Sequence, residues 1–252
     1  MRRYSAILFA TGFLVLAGGR EIRAASPVPP HIAAAVADFG RPPAERALDA
    51  ARKPGEMLAF ADIKRGDKVA DLMPGGGYFT RVFSKAVGPK GHVYAIDPDD
   101  LTKMHGDTLL KIVADPAYSN VTLKIEVLAK INTPEPVDVV WTAQNYHDLH
   151  NADSGSPDMV AFNRAIFAML KPGGVYIVLD HAAAPDAPAD VTDKLHRIPP
   201  EVVKKEVLAA GFAFEGESDA LRNAADDHSV IVFNPKIRGK TDQFILKFRK
   251  PK

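Results

Sequence analysis

Two stretches decide the fold: VADLMPGGGYF at residues 69–79 and HVYAIDP at residues 92–98. Each begins as an apolar run and reaches an aspartate, Asp71 in the first and Asp97 in the second. Between them stand Gly75, Gly76 and Gly77, followed by a helix-like segment. A nucleoside-binding βαβ unit has this layout. Glycines let the backbone approach a ligand without Cβ clashes, a helix start offers free N–H groups, and a carboxylate ending the second strand accepts ribose hydroxyls. Asp97 follows Gly77 by 20 residues, close to the interval between a glycine loop and a ribose carboxylate. The dinucleotide spacing Gly-x-Gly-x-x-Gly is absent, which disfavours a pyrophosphate turn.

Outward from this unit the chain alternates strand and helix. Strands are expected at 68–72, 92–96, 121–126, 137–142, 175–180, 212–217 and 243–248, and helices at 78–86, 101–113, 159–170 and 200–210. Alternation of this kind predicts an α/β fold: a Rossmann-like doubly wound sheet of about seven strands, mostly parallel with an antiparallel last strand. Short helices at 31–39, 43–51 and 56–62 precede it, with prolines at a helix start in RPPAERALDAAR. The 252 residues suffice for one large domain, and 46% hydrophobic with 25% charged residues is ordinary globular composition. The division is residues 1–25 as signal peptide, 26–52 as linker and helices, and 53–252 as the domain.

The first residues set a cellular expectation. Arg2 and Arg3 precede an apolar stretch at 4–19, and small residues Ala24 and Ala25 follow. This is a secretory signal directing export to the periplasm. The alternative, a retained anchor, requires about 20 apolar residues, so no stable membrane span is expected after cleavage. With no cysteine, neither a disulfide nor a lipid-modified cysteine is available. Without residues 1–25 the chain carries 28 basic and 30 acidic side chains, which excludes the basic field of a nucleic-acid binder. Lys247, Arg249, Lys250 and Lys252 read as a solubilising edge strand.

In an open parallel sheet, ligands lie beyond the carboxyl ends of the strands. Asp71, Asp97, Glu126, the segment AQNYHDLH (143–150) and Asp180-His181 all fall there. The connection 218–240 is a candidate lid or substrate wall, and its apolar residues 230–233 are a candidate extra strand.

Taken together, these residues resemble class I S-adenosylmethionine-dependent methyltransferases across 53–252, and within them a group of exported, predicted bacterial methyltransferases. VADLMPGGGYF stands at the glycine motif, VDVVWTAQNYHDLH at the fourth strand and its loop, LKPGGVYIVLDH at the fifth strand, and NPKIRGKTDQFILKFRK at the end. The usual motif is Asp/Glu-x-Gly-x-Gly-x-Gly; counted from Asp71, Gly75 and Gly77 fall in register and Met73 replaces the first glycine.

The resemblance implies S-adenosylmethionine as cofactor and a small molecule as methyl acceptor. Gly75, Gly76 and Gly77 would contact the cofactor through backbone, and Asp97 its ribose. Glu126 would meet the adenine edge or be an exposed strand-end acid. Asp71 would orient the loop, meet the methionyl amine, or only cap the strand. Tyr146, His147, Asp148 and His181 are the catalytic candidates, with His147 a base near neutral pH oriented by Asp148. His150, His196 and Arg197 are assigned to the acceptor, Arg197 suiting a carboxylate or phosphate. Two other classes stand beside this: a noncatalytic exported binding protein on the same scaffold, and a metal-dependent enzyme using His147, His150, His181, His196 and Asp180. The histidine spacings match no standard zinc motif, and no metal ligand is assigned. Trp141, within an apolar strand, is expected in the core.

Overall fold

The computed structural model describes residues 27–98, 107–151 and 158–252. The signal segment at 1–25 and the first part of the helix expected at 101–113 lie outside the described residues. Four short helices come first: α1 (Pro30–Val36), α2 (Pro43–Arg46), α3 (Asp49–Arg52) and α4 (Pro54–Phe60). Then follow β1 (Lys68–Leu72), α5 (Tyr78–Val87), β2 (His92–Asp97), α6 (Thr108–Ala114), β3 (Val121–Ile125) and β4 (Val137–Ala143). The chain continues through α7 (Met159–Met169), β5 (Leu170–His181), α8 (Val191–Leu195), α9 (Pro200–Ala209), β6 (Ala213–Ser218) and β7 (Gln243–Arg249).

The seven strands form one sheet in the order β3-β2-β1-β4-β5-β7-β6. Pairs from β3 through β5 are parallel, and β7 runs antiparallel to both β5 and β6. The expected architecture is therefore the observed one. Among the described residues no helix is long and apolar enough to cross a membrane.

Both faces of the sheet are buried, as parallel strands require when helices cover each side. Alternation along β4 and β5 sorts the side chains. Val139, Trp141, Ile177 and Leu179 join Phe79 and Phe83 of α5 on one face. Val140, Tyr176 and Val178 join Phe162, Ile166, Val203 and Val207 of α7 and α9 on the other. Trp141 is in the core, its ring 4.9 Å from Phe79 and 5.4 Å from Phe83.

Two expectations change at the C-terminus. Strand β7 is not an edge: it lies between β5 and β6. Lys247 is fully buried there, bonded to Asp62 and 3.0 Å from Glu215, and Arg249 pairs with the same glutamate, which falls to about 2 under the two cations. A charged residue on a central strand is thus a paired core group and not a solubilising one. The stretch 230–233 forms no strand.

The glycine loop is held by its surroundings. Gly75 (φ 57°) and Gly77 (φ 79°) both occupy the left-handed region. A Cβ on Gly77 would stand 2.2 Å from Cδ1 of Ile112 on α6. Gly77→Ala is therefore expected to destabilise the protein by about 3 kcal/mol, combining overpacking with left-handed strain; a chemical denaturation curve matching wild type would contradict this. Met73, at the position where the related motif has glycine, also takes a left-handed φ of 49°. The loop keeps the glycine conformation without the glycine, at a cost of about 1–2 kcal/mol.

Candidate functional site

The carboxyl edge of β1, β2, β4 and β5 carries two adjoining groups of residues, one around the glycine loop and one around His147. They are linked by Asn145, which follows β4. Its Nδ2 donates to the carbonyls of Met73 (2.7 Å) and Leu72 (3.3 Å), and the Thr142 hydroxyl donates to its Oδ1. A buried asparagine with both ends engaged fixes the left-handed turn at Met73.

A cavity of about 340 Å³ opens against the glycine loop. Met73, Pro74, Gly75 and Gly76 form one side, Ala143 and Gln144 another, and Glu45, Arg52 and Tyr78 close it. The N-terminal helices are thus part of the site. Asp49 of α3 accepts from the Tyr78 hydroxyl (2.6 Å) and pairs with the buried Arg41 (2.8 Å), while Arg81 of α5 bridges Glu45 and the Gly76 carbonyl. The Arg52 guanidinium lies over the Tyr78 ring, 4.6 Å from its centroid, and burial lowers its pKa. No atom lies within 4 Å of where a Cβ on Gly76 would stand, so the loop presents bare backbone to open space.

Asp97 closes β2 and is fully buried. Asp71, 2% exposed, accepts from the Thr80 hydroxyl at 2.6 Å, and burial, with Asp97 adding repulsion, pushes its carboxyl up to about 7. Asp71 is thus directed at α5. Glu126, just past β3, is half-buried and paired with Lys124 at 2.9 Å. Bare loop backbone, an adjoining cavity and a buried carboxylate at the neighbouring strand end fit an adenosyl ligand.

The segment at 146–150 does not act as one cluster. Residues 147–150 form a 3₁₀ turn entered from Tyr146, and its side chains divide between two sets of partners. Tyr146, fully buried, donates to Glu206 of α9 and accepts from Asn163 of α7, both at 2.8 Å. His150 meets the other oxygen of Glu206 at 2.8 Å. These two residues anchor the turn to the helical layer.

His147 and Asp148 face the other way. The His147 ring bonds Asp180 through Nδ1 at 2.8 Å, and Nε2 stands 3.2 Å from both His196 Nδ1 and Asp148 Oδ1. Burial alone would lower its pKa, but the carboxylates of Asp180 and Asp148 raise it to about 10. The free chain therefore holds His147 protonated at neutral pH, so the expected neutral base is instead a charged donor, and its chief orienting partner is Asp180. His181 bonds Thr241 at 2.8 Å, and burial pushes it down to about 4, leaving it neutral.

Arg197 is not a substrate ligand. It is fully buried and donates to Asp226 (2.9 Å), Ala182 O (3.0 Å) and Val230 O (3.1 Å). Its work is to fasten the 219–242 connection to the end of β5, helped by Asp242, which takes Arg222, His228 and the Asn223 amide. The connection is thus a pinned wall, and it sets Phe233 edge-on against His196 at 4.9 Å. Arg197→Met is expected to cost about 2 kcal/mol of stability by stranding the Asp226 charge. Nucleoside affinity should not change; a weakened ligand in a fully folded variant would contradict the structural role.

Asn145, Gln144, Arg52 and Glu206 were missed from sequence. Asn145 and Gln144 stand inside the quoted fourth-strand segment, and strand-end position was the signal available.

No family model matches the chain. Over 158 residues it is 28% identical to a protein-L-isoaspartate O-methyltransferase of Ignicoccus hospitalis, covering 62% of this chain and 65% of that protein. Over 122 residues it is 33% identical to the ubiquinone/menaquinone biosynthesis C-methyltransferase UbiE of Pasteurella multocida, covering 47% of this chain and 41% of that one. The chain thus spans just under two thirds of the first relative and less than half of the second. Among solved structures, an S-adenosylmethionine-dependent methyltransferase of Aquifex aeolicus superposes with a TM-score of 0.57 at 20% identity, over 83% of this chain and 94% of that one. The [4+2]-cyclase SpnF superposes at 0.56 with 17% identity, over 85% of each. The fold is that of the class I methyltransferases.

Proposed function

We propose that the protein is a class I S-adenosylmethionine-dependent methyltransferase acting on a small molecule. The observation that carries this reading is the buried Asp97 beside a glycine loop whose Gly76 faces open space. The similarity to two methyltransferases in sequence supports it. Asp97 accepts the ribose hydroxyls, the loop backbone lies along the nucleoside, and Asp71 holds the loop through Thr80. Arg52, lining the cavity, offers a cation to the carboxylate of the amino-acid end.

When bound, the cofactor supplies an electrophilic sulfonium methyl. The chain's own part is mostly positioning and exclusion of water. Acceptor contacts gather at His147, Asp148, His181 and His196, on the side walled by Phe233. His147, braced by Asp180, stands beside the acceptor. Incubation with S-adenosylmethionine and a small-molecule library is expected to yield S-adenosylhomocysteine together with an equal amount of one methylated product. Cofactor binding without product from any acceptor would instead identify a noncatalytic binding protein. The start of the sequence supports export as a further part of this reading, and N-terminal sequencing of the periplasmic protein should find residues 1–25 removed; an intact start would refute cleavage.

A further inference from the structure

Three donor atoms at the carboxyl edge converge on one point. His147 Nε2 stands 3.2 Å from His196 Nδ1 and 3.2 Å from Asp148 Oδ1, and the last two are 3.5 Å apart. Donors bound at roughly 2.0–2.1 Å to a tetrahedral cation stand about 3.3–3.4 Å from one another. The triangle therefore already has the dimensions of three corners of a tetrahedral site. We propose that His147, His196 and Asp148 bind a divalent cation of the zinc class, with the fourth position open to water or a substrate oxygen.

The surroundings are those of a built site. Asp180, with no exposure, accepts from His147 Nδ1 at 2.8 Å and from the His147 amide at 2.8 Å. A carboxylate on the far ring nitrogen keeps the proton at Nδ1, so the cation displaces the Nε2 proton that the free chain carries and takes that nitrogen as ligand. His196 is held from the other side: it ends α8 in a left-handed conformation, φ 53°, with its ring against Phe233. A non-glycine residue in that region is costly unless its surroundings demand it, and such residues concentrate at ligand clamps. Two imidazoles and one carboxylate suit zinc over magnesium or calcium, which prefer all-oxygen shells. His150 and His181, the other histidines of this edge, are taken up by Glu206 and Thr241 and do not join the set.

The site does not depend on the methyl donor, and its test needs none. Untagged full-length protein, stripped with chelator, is titrated calorimetrically with Zn²⁺ alone. One equivalent is expected to bind with submicromolar affinity. His196→Asn keeps a residue tolerant of the left-handed backbone and removes the imidazole; it should weaken binding by about 100-fold or more, beyond the 10–100-fold of an outer-shell change. Asp180→Asn should weaken it by that smaller factor, and His31→Ala, whose ring bonds the Ile63 carbonyl, should leave it unchanged. Circular dichroism confirms that each variant is folded, and Co²⁺ substitution should give the intense visible bands of a tetrahedral site. Absence of stoichiometric Zn²⁺ binding to folded wild type would overturn the proposal. So would undiminished affinity in folded His196→Asn. Either failure leaves the methyltransferase reading standing, because that rests on Asp97 and the glycine loop.

Discussion

Asp97→Ala is expected to weaken S-adenosylmethionine binding by about 100-fold or more while leaving the protein folded. Asp97 ends β2 in full burial, next to the turn that carries Met73 and the glycines. In the proposed reading its carboxylate accepts two ribose hydroxyls, and a hydrogen bond to a charged group contributes about 1.5–3 kcal/mol. Two such bonds, offset by what the carboxylate already engages in the free chain, leave about 3 kcal/mol, or roughly two decades in Kd. Folding should survive because Asp97 also repels Asp71 and helps push that carboxyl up to about 7. Removing one of two close carboxylates relieves that repulsion. Calorimetry and thermal melting on the same sample read both effects. Unchanged affinity in folded Asp97→Ala would reject the ribose role, and loss of folding would reassign Asp97 as structural.

The second large effect concerns stability. Asp180→Ala is expected to cost about 3–5 kcal/mol, the range for breaking a buried ion pair. For a domain of this size that lowers Tm by roughly 10 °C. Asp180 accepts from the His147 amide at 2.8 Å, the His181 amide at 2.7 Å and the His147 ring at 2.8 Å. All three donors lose their partner at once, in a place with little access for water.

The cost should depend on pH. The folded pKa of His147 is about 10, above its usual 6.5, so its share of stability is complete below about 6.5 and fades as pH rises towards 10. Asp180 is shifted down: burial opposes this, but His147 outweighs it. Its share is present above the ordinary carboxylate range and fades as pH falls. The gap between wild type and Asp180→Ala should thus be widest near pH 5–6 and narrow towards pH 10. Melting curves at pH 5.5, 8 and 10 check this, and a gap that stays constant across the series would contradict the charged pair.

What was legible in the sequence was mostly local. The central strands β1, β2, β4 and β5 carry apolar runs buried on both faces, so those runs and the aspartates of β1, β2 and β5 could be read from pattern alone, although β5 begins earlier than expected, at Leu170. Gly77 was legible from the glycine run itself, although Ile112, which a Cβ there would press against, stands on a helix 35 residues away. Pairings between distant residues were not legible. Arg197 looked like a substrate cation because Asp226, its buried partner, lies 29 residues on. Lys247 looked like a solvent-facing charge because Asp62 is 185 residues back.

The 146–150 segment shows a different limit. Four chemically attractive residues within five positions promise one cluster, but the turn that contains them sends Tyr146 and His150 to Glu206 and sends His147 and Asp148 to Asp180 and His196. That division depends on backbone direction after β4, which composition does not encode. Residues 26–52 carry no sequence signal beyond linker and helices, and Glu45 and Arg52 among them line the cavity at the glycine loop. Their placement follows from contacts with α5, Glu45 with Arg81 and Arg52 over the Tyr78 ring, and not from any pattern of their own.

The central claim is that the glycine loop and Asp97 form a site for S-adenosylmethionine. Calorimetric titration of the folded wild-type protein with this nucleoside tests it most directly. Binding of one equivalent, competed by S-adenosylhomocysteine, is the expected result; folded protein that binds neither nucleoside would contradict it.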